Sequence, residues 1–365
     1  MKSIKLYIIL TAAIFLNSCV TSTPHKYAVT NNSFTYSGIT EQLTNEVVLI
    51  GSASSATAYF SGDTCVVFLR NYNEHGLYNY FSVELDGEDL GRTRIEGDQM
   101  MAFPIPITFP KEVHKISIYK STEAANGYIN FGGLLCKRLQ KPEKQPQKNI
   151  EFIGNSITCG MGNDTLLIPC HTNQWYDQHN AYWAYGPTVS RALDVNFLLS
   201  SVSGIGVYRN WNSLAPTMPQ VYENLYLNNN NQQKRDFTAF SPNIVSICLG
   251  TNDLSDGDGT HERLPFDEEK FTQAYIQFVE TIYTHYPETQ VALLNSPMIK
   301  GEKNQILMKC LNAIKDHFED KSYKPIEIFE FENITPHGCD SHPDINDHMM
   351  MADQLYPFYK KLLEE

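Results

Sequence analysis

The sequence predicts two domains of different class. An all-β sandwich of jelly-roll type covers residues 25–140, and a three-layer α/β/α domain with a mostly parallel five-stranded sheet covers 149–365. Three observations carry this. Before residue 140, short runs alternate apolar and polar residues and are punctuated by Gly and Asp-Gly, as antiparallel strands are. Residues 141–148, with Pro142, Pro146 and several charges, interrupt the pattern as a linker does. From residue 149, short apolar runs alternate with helical stretches, the signature of parallel strands joined by crossover helices.

In chain order, the first element is a leader. Lys2 and Lys5 precede an apolar stretch at 6–16, too short for a membrane-spanning helix of about 20 residues. It ends in Leu16-Asn17-Ser18-Cys19. This end resembles a bacterial lipobox, which implies cleavage, lipidation of Cys19, and export to the periplasm or the cell surface. The next elements are strands within 65–69, 80–85 and 115–119, the second followed by the turn pair Asp86-Gly87. Beyond the linker, strands are expected at 150–154, 195–201, 244–249, 291–295 and 326–331. Helices are expected at 267–286, 303–318 and 346–363.

The totals narrow the function. A 42% hydrophobic and 19% charged chain of 365 residues is an ordinary globular protein with room for two cores. A net charge of −13 without any basic run excludes nucleic acid as a partner. Of eight cysteines, seven remain after Cys19, an odd number with no CxxC pair, so no metal site is expected. Cys159 and Cys170 flank one loop and could pair, although buried free thiols are the default. The acidic run at 253–258 lacks the ligand spacing and closing Glu of a calcium loop and reads as solvated.

In an open α/β sheet, functional groups gather at the carboxyl ends of the strands. Gly154-Asn155-Ser156 ends the first strand in a turn that would expose the Ser156 hydroxyl, a nucleophile only beside a base. Ser203-Gly204 follows the second strand, and the Gly204 amide can approach an oxyanion closely. Asn252, in Gly250-Thr251-Asn252-Asp253, can add a side-chain donor. Asp340-Ser341-His342-Pro343 precedes the last helix, with His342 as general base and Asp340 as its orienter. Each segment alone is common turn chemistry; four in this order at successive ends are not.

These four blocks resemble those of the SGNH (GDSL-type) hydrolases. The resemblance implies Ser156 as nucleophile, with its own amide, the Gly204 amide and Asn252 as the oxyanion hole, and His342 as base. The run 114–124, Gly127 to Gly133, and the stretch from Ser156 through Tyr182-Trp183-Ala184-Tyr185 to Leu193 resemble the second carbohydrate esterase family. There a jelly roll precedes an SGNH domain that removes acetyl groups from plant polysaccharides. Three positions depart from the pattern. Asn155 replaces the Asp of the first block, Ser341 stands where an aromatic is usual, and Asp340-Ser341-His342 is one residue shorter than the usual spacing. Either Asp340 or a main-chain carbonyl could therefore orient His342.

The expected activity is acetyl release from a xylan or glucomannan through an acyl-enzyme, without metal or organic cofactor. Trp183, Tyr208 and Trp211, with Trp175, Tyr176 and Tyr182, are candidates to contact the sugar. The only membrane contact expected is the N-terminal lipid, and nothing demands more than a monomer. Two alternatives are a short-chain lipid or thioester hydrolase with the same site, and a non-catalytic glycan-binding surface lipoprotein.

Overall fold

The computed structural model describes residues 23–73, 76–142, 146–231, 233–260 and 262–364. The leader at 1–19, with Cys19, lies outside them, as do residues 143–145 of the linker.

The first ten strands are β1 (His25–Tyr27), β2 (Phe34–Ser37), β3 (Thr40–Gln42), β4 (Val47–Leu49), β5 (Ser55–Tyr72), β6 (Asn79–Leu85), β7 (Glu88–Ile95), β8 (Met101–Pro104), β9 (His114–Lys120) and β10 (Tyr128–Gln140). Every pairing among them is antiparallel, and β5 is the hub, bonded to β2, β8, β9 and β10 along its length. Two register shifts in the β5–β10 ladder bend the long strands around a core that includes Phe60, Val67, Leu69, Phe81, Ile118 and Phe131.

β6 is buried on both faces. Its alternation sends Phe81, Val83 and Leu85 into the sandwich core. Tyr80, Ser82 and Glu84 point the other way and hydrogen-bond to Asp177, Asn180 and Tyr182 of the second domain. A strand that reads as a half-polar surface is thus an internal wall.

The second sheet comprises β11 (Asn149–Gly154), β12 (Asn196–Ser201), β13 (Ile244–Cys248), β14 (Gln290–Leu294) and β15 (Glu327–Phe329), in the order β12-β11-β13-β14-β15. All four ladders are parallel, so the sheet is wholly rather than mostly parallel. Its helices are α1 (Ser156–Cys159), α2 (Tyr185–Leu193), α3 (Met218–Val221), α4 (Thr251–Leu254), α5 (Glu268–His285), α6 (Gly301–Phe318) and α7 (Ile345–Glu364).

Three layers follow from which residues point where. Ile153, Val245, Ile247, Val291 and Leu293 meet α5 and α6 through Phe271, Phe278, Val279, Leu307 and Leu311. Phe152, Ile244, Ala292 and Leu294 meet α2 and α7 through Tyr185, Val189, Met351, Leu355 and Tyr359. The Asp267 side chain caps α5 by accepting from the Lys270 amide, and Glu268 and Glu269 sit in its first turn where the helix dipole favours anions. The strand order reverses at β11, which opens a crevice at the carboxyl ends of β11 and β13.

Candidate active site

β11 runs directly into α1, with Asn155 as N-cap, its side-chain oxygen accepting from the Ile157 amide at 3.1 Å. Gly154 is required here, because a Cβ would lie 2.0 Å from Thr158 Oγ1. The turn puts Ser156 at the first position of α1, only 5% exposed, facing the crevice.

His342 meets it from the loop before α7. Nε2 lies 2.7 Å from Ser156 Oγ, and Nδ1 lies 3.1 Å from the main-chain oxygens of both Cys339 and Asp340. Two carbonyl acceptors place the ring proton on Nδ1 and leave Nε2 free to accept. Burial pushes the His342 pKa below its ordinary 6.5, against the pull of the two carbonyls. The ring is therefore neutral near pH 7.

Asp340 differs from the expectation that its carboxylate orients the base. Its backbone is left-handed (φ 51°), which turns its carbonyl toward His342. The carboxylate points outward, 53% exposed and 3.7 Å from His171 Nδ1. Cys339 forms a disulfide with Cys170, 169 residues away, while Cys159 is a buried free thiol. The pairing of Cys159 with Cys170 is thereby excluded. The disulfide fastens the loop carrying His342 to the 161–180 insertion that follows α1.

The other predicted donors line the same cleft, of about 1000 Å³, with Ser156 and His342. Gly204 has φ +75°, a conformation a side chain would strain, and its carbonyl accepts from the Trp211 amide at 2.8 Å. Asn252 spends one side-chain hydrogen on the Ile205 carbonyl at 2.7 Å and has a second. Its neighbour Asp253 is buried and accepts from the amides of Val207, Tyr208 and Arg209, tying the Gly204 loop to α4. In the sequence Asp253 is only the neighbour of the expected donor Asn252, and its tie to the Gly204 loop is one that only the fold brings together.

The aromatics divide. Trp175 (48% exposed) and Trp211 (43% exposed) line the cleft, from the insertion and from the loop after Gly204. Trp183 does not: its Nε1 donates to Asp89 of the sandwich at 2.7 Å. Nor does Tyr208, whose ring packs on Phe266 and Phe271 and whose hydroxyl accepts from the Asp267 amide. Tyr176 and Tyr182 are buried against Tyr78 and Tyr119 of the sandwich. In each case the ring or its polar atom finds a protein partner that residue type alone does not reveal. Of the acidic run expected to be solvated, Asp256 pairs with Lys303 at the surface and Asp258 accepts from Thr260, whereas Asp253 departs from the expectation and is buried.

Residues 150–355 match the GDSL-like Lipase/Acylhydrolase family, and residues 37–146 match Carbohydrate esterase 2 N-terminal. Among known proteins, an acetylxylan esterase / glucomannan deacetylase of Cellvibrio japonicus is 28% identical over 258 residues, 69% of this chain and 70% of that protein. Two solved structures share the fold. A family two carbohydrate esterase of Clostridium thermocellum, in complex with cellohexaose, has a TM-score of 0.80 at 24% identity over 91% of this chain and 99% of that one. An acetyl xylan esterase of the rumen bacterium Butyrivibrio proteoclasticus has a TM-score of 0.81 at 20% identity over 94% and 99%.

Proposed function

The chain belongs to the GDSL-like lipase/acylhydrolase family, and from that premise we propose that it is a serine esterase removing acetyl groups from plant polysaccharides of the xylan or glucomannan type. The observation that carries the reading is the 2.7 Å contact between Ser156 Oγ and His342 Nε2, with Nδ1 held by main-chain oxygens.

His342 takes the Ser156 proton as Oγ attacks the ester carbonyl. The oxyanion is held by the amides of Ser156 and Gly204 and by the second hydrogen of Asn252. Losing one such donor typically costs about 2.7–4 kcal/mol in the transition state. Protonated His342 gives its proton to the leaving sugar oxygen. Water then enters, loses a proton to His342 and releases acetate from the acyl-enzyme, restoring Ser156. No step calls on a cofactor.

The sugar side rests on the open cleft with Trp175 and Trp211 on its walls, since pyranose faces stack on exposed aromatic rings. The match to Carbohydrate esterase 2 N-terminal and the deacetylase of Cellvibrio japonicus support the same class of substrate. Lys2, Lys5 and the 6–19 segment support export with a lipid on Cys19, which would hold the enzyme on a membrane from which it reaches polymer.

The test is acetate release from acetylated xylan and acetylated glucomannan by the chain lacking residues 1–19, beside Ser156→Ala. Release by the parent that vanishes in the variant is expected. Release that survives Ser156→Ala would remove the nucleophile assignment. A parent active on short-chain lipid esters or thioesters but on neither polymer would replace the substrate class, and glycan binding without any turnover would replace the enzyme reading.

A further inference from the structure

Lys120-Ser121-Thr122-Glu123, at the end of β9 and the turn after it, enters the domain interface with all four side chains buried. A carboxylate is seldom fully buried without a charged partner. The Lys120 ammonium lies close by but donates to the main-chain oxygens of Thr122 and Glu123, at 2.9 and 2.6 Å. The one ion-pair contact of Glu123 among the described residues is His179 Nε2 at 4.0 Å, and burial keeps that imidazole neutral.

The Glu123 side chain, whose pKa burial raises against hydrogen bonds from Ser203 and the Cys159 thiol, reaches across the interface to Ser203. Its Oε2 accepts from the Ser203 amide at 3.0 Å and also from the Ser203 hydroxyl. Ser203 immediately precedes Gly204. Holding its N–H and its side chain together fixes Ser203 itself and leaves one backbone rotation, about its Cα–C bond, between the held residue and the Gly204 amide. On the other side, the Trp211 amide holds the Gly204 carbonyl. The residue is thus clamped from both ends, and one clamp belongs to the sandwich. The Glu123 turn is itself anchored: the Ser121 amide donates to Tyr80, the Lys120 amide to Ser54, and the Thr122 hydroxyl to Asn79.

We propose that Glu123, contributed by the sandwich, is a positioning residue that aims the Gly204 amide at the oxyanion. The inference rests on the esterase reading above and assigns the sandwich a part in the chemical step. An apolar side chain of similar volume would fill the space but leave the Ser203 amide and hydroxyl without this acceptor.

The test measures kcat and KM on 4-nitrophenyl acetate, the rate of Ser156 phosphonylation by a 4-nitrophenyl phosphonate, and the thermal midpoint. Glu123→Ala should lower kcat and the phosphonylation rate roughly 100-fold, the scale of one lost oxyanion donor, with KM little changed. Glu123→Gln, whose amide oxygen can still accept from Ser203, should recover most of that loss. A folded Glu123→Ala that keeps parental rates would overturn the proposal. Should Glu123→Ala fail to fold, Ser203→Ala decides: it removes one of the two contacts and should lower kcat about tenfold, and parental kcat overturns the proposal. A parent that is neither turned over nor phosphonylated would instead sink the esterase reading, and this inference with it.

Discussion

His342 is oriented by two uncharged main-chain oxygens, and that fixes what substitutions around it should do. In a Ser-His-Asp triad the carboxylate sets the imidazole tautomer and also stabilises the imidazolium, and losing it costs about 10⁴ in kcat. Here the carbonyls of Cys339 and Asp340 do the first task, and among the described residues no carboxylate hydrogen-bonds to the ring. Asp340→Asn, which keeps the carbonyl and tolerates the left-handed backbone, should therefore leave kcat within a few-fold of the parent. A loss near the 10⁴ scale in steady-state assays would return Asp340 to the triad. The pH profile follows from the same contacts. His342 must be neutral to accept a proton, and burial has moved its pKa below 6.5. Activity should then be constant from neutral pH upward and fall on acidification with an apparent pKa under 6.5. An acid limb of kcat/KM centred above neutrality would contradict this.

At the scale of elements, the site is built from loops that strands alone do not hold, and the fastenings are long-range. The Cys170–Cys339 disulfide closes 169 residues, a loop for which chain entropy predicts stabilisation of up to about 5 kcal/mol. Replacing both cysteines by Ser should lower the urea midpoint accordingly and free the His342 loop from the insertion. An unchanged midpoint would mean that the loop is held by packing alone. The distinction between near and far also explains what could be read from the chain. The apolar runs at 150–154 and 244–249 became β11 and β13 within a residue, because buried parallel strands are written in consecutive apolar residues. The helix expected at 267–286 became α5, because Asp267 marks its cap and the apolar spacing marks its face. The 18-residue β5 could not be read as one strand, since Gly62-Asp63 looks like a turn. Trp183 and Tyr208 do not line the cleft because their polar atoms are taken by Asp89 and Asp267, far away in sequence. Glu123 and Asp253 stand inside the runs 114–124 and 250–253 that carry the resemblance, but nothing local gives either a role; their partners are backbone amides of another loop.

At the scale of the whole molecule, the two domains meet through polar contacts that reach the cleft, so they should behave as one folding unit. Tyr78 and Tyr80 donate to the Asp177 carboxylate, and Arg92 donates to the main-chain oxygens of Asp177 and His179 while its Nε lies 3.3 Å from Asp164. All of these partners belong to the insertion that carries Trp175 into the cleft. A guanidinium with a side chain only 4% exposed, paired with a buried carboxylate and two carbonyls, leaves several unsatisfied groups when removed. Breaking such a pair typically costs about 3–5 kcal/mol. The parent should consequently unfold in one calorimetric transition that spans both domains. Arg92→Ala should lower that stability by about the same amount, split the transition in two, and weaken hydrolysis of polymer more than of 4-nitrophenyl acetate. The difference arises because the insertion positions Trp175, whereas Ser156 and His342 are held by their own strand end and loop. Two separate transitions in the parent would mean that the interface forms without coupling the domains. Equal losses on polymer and small ester would mean that the insertion supports the catalytic pair directly, through the disulfide to Cys339.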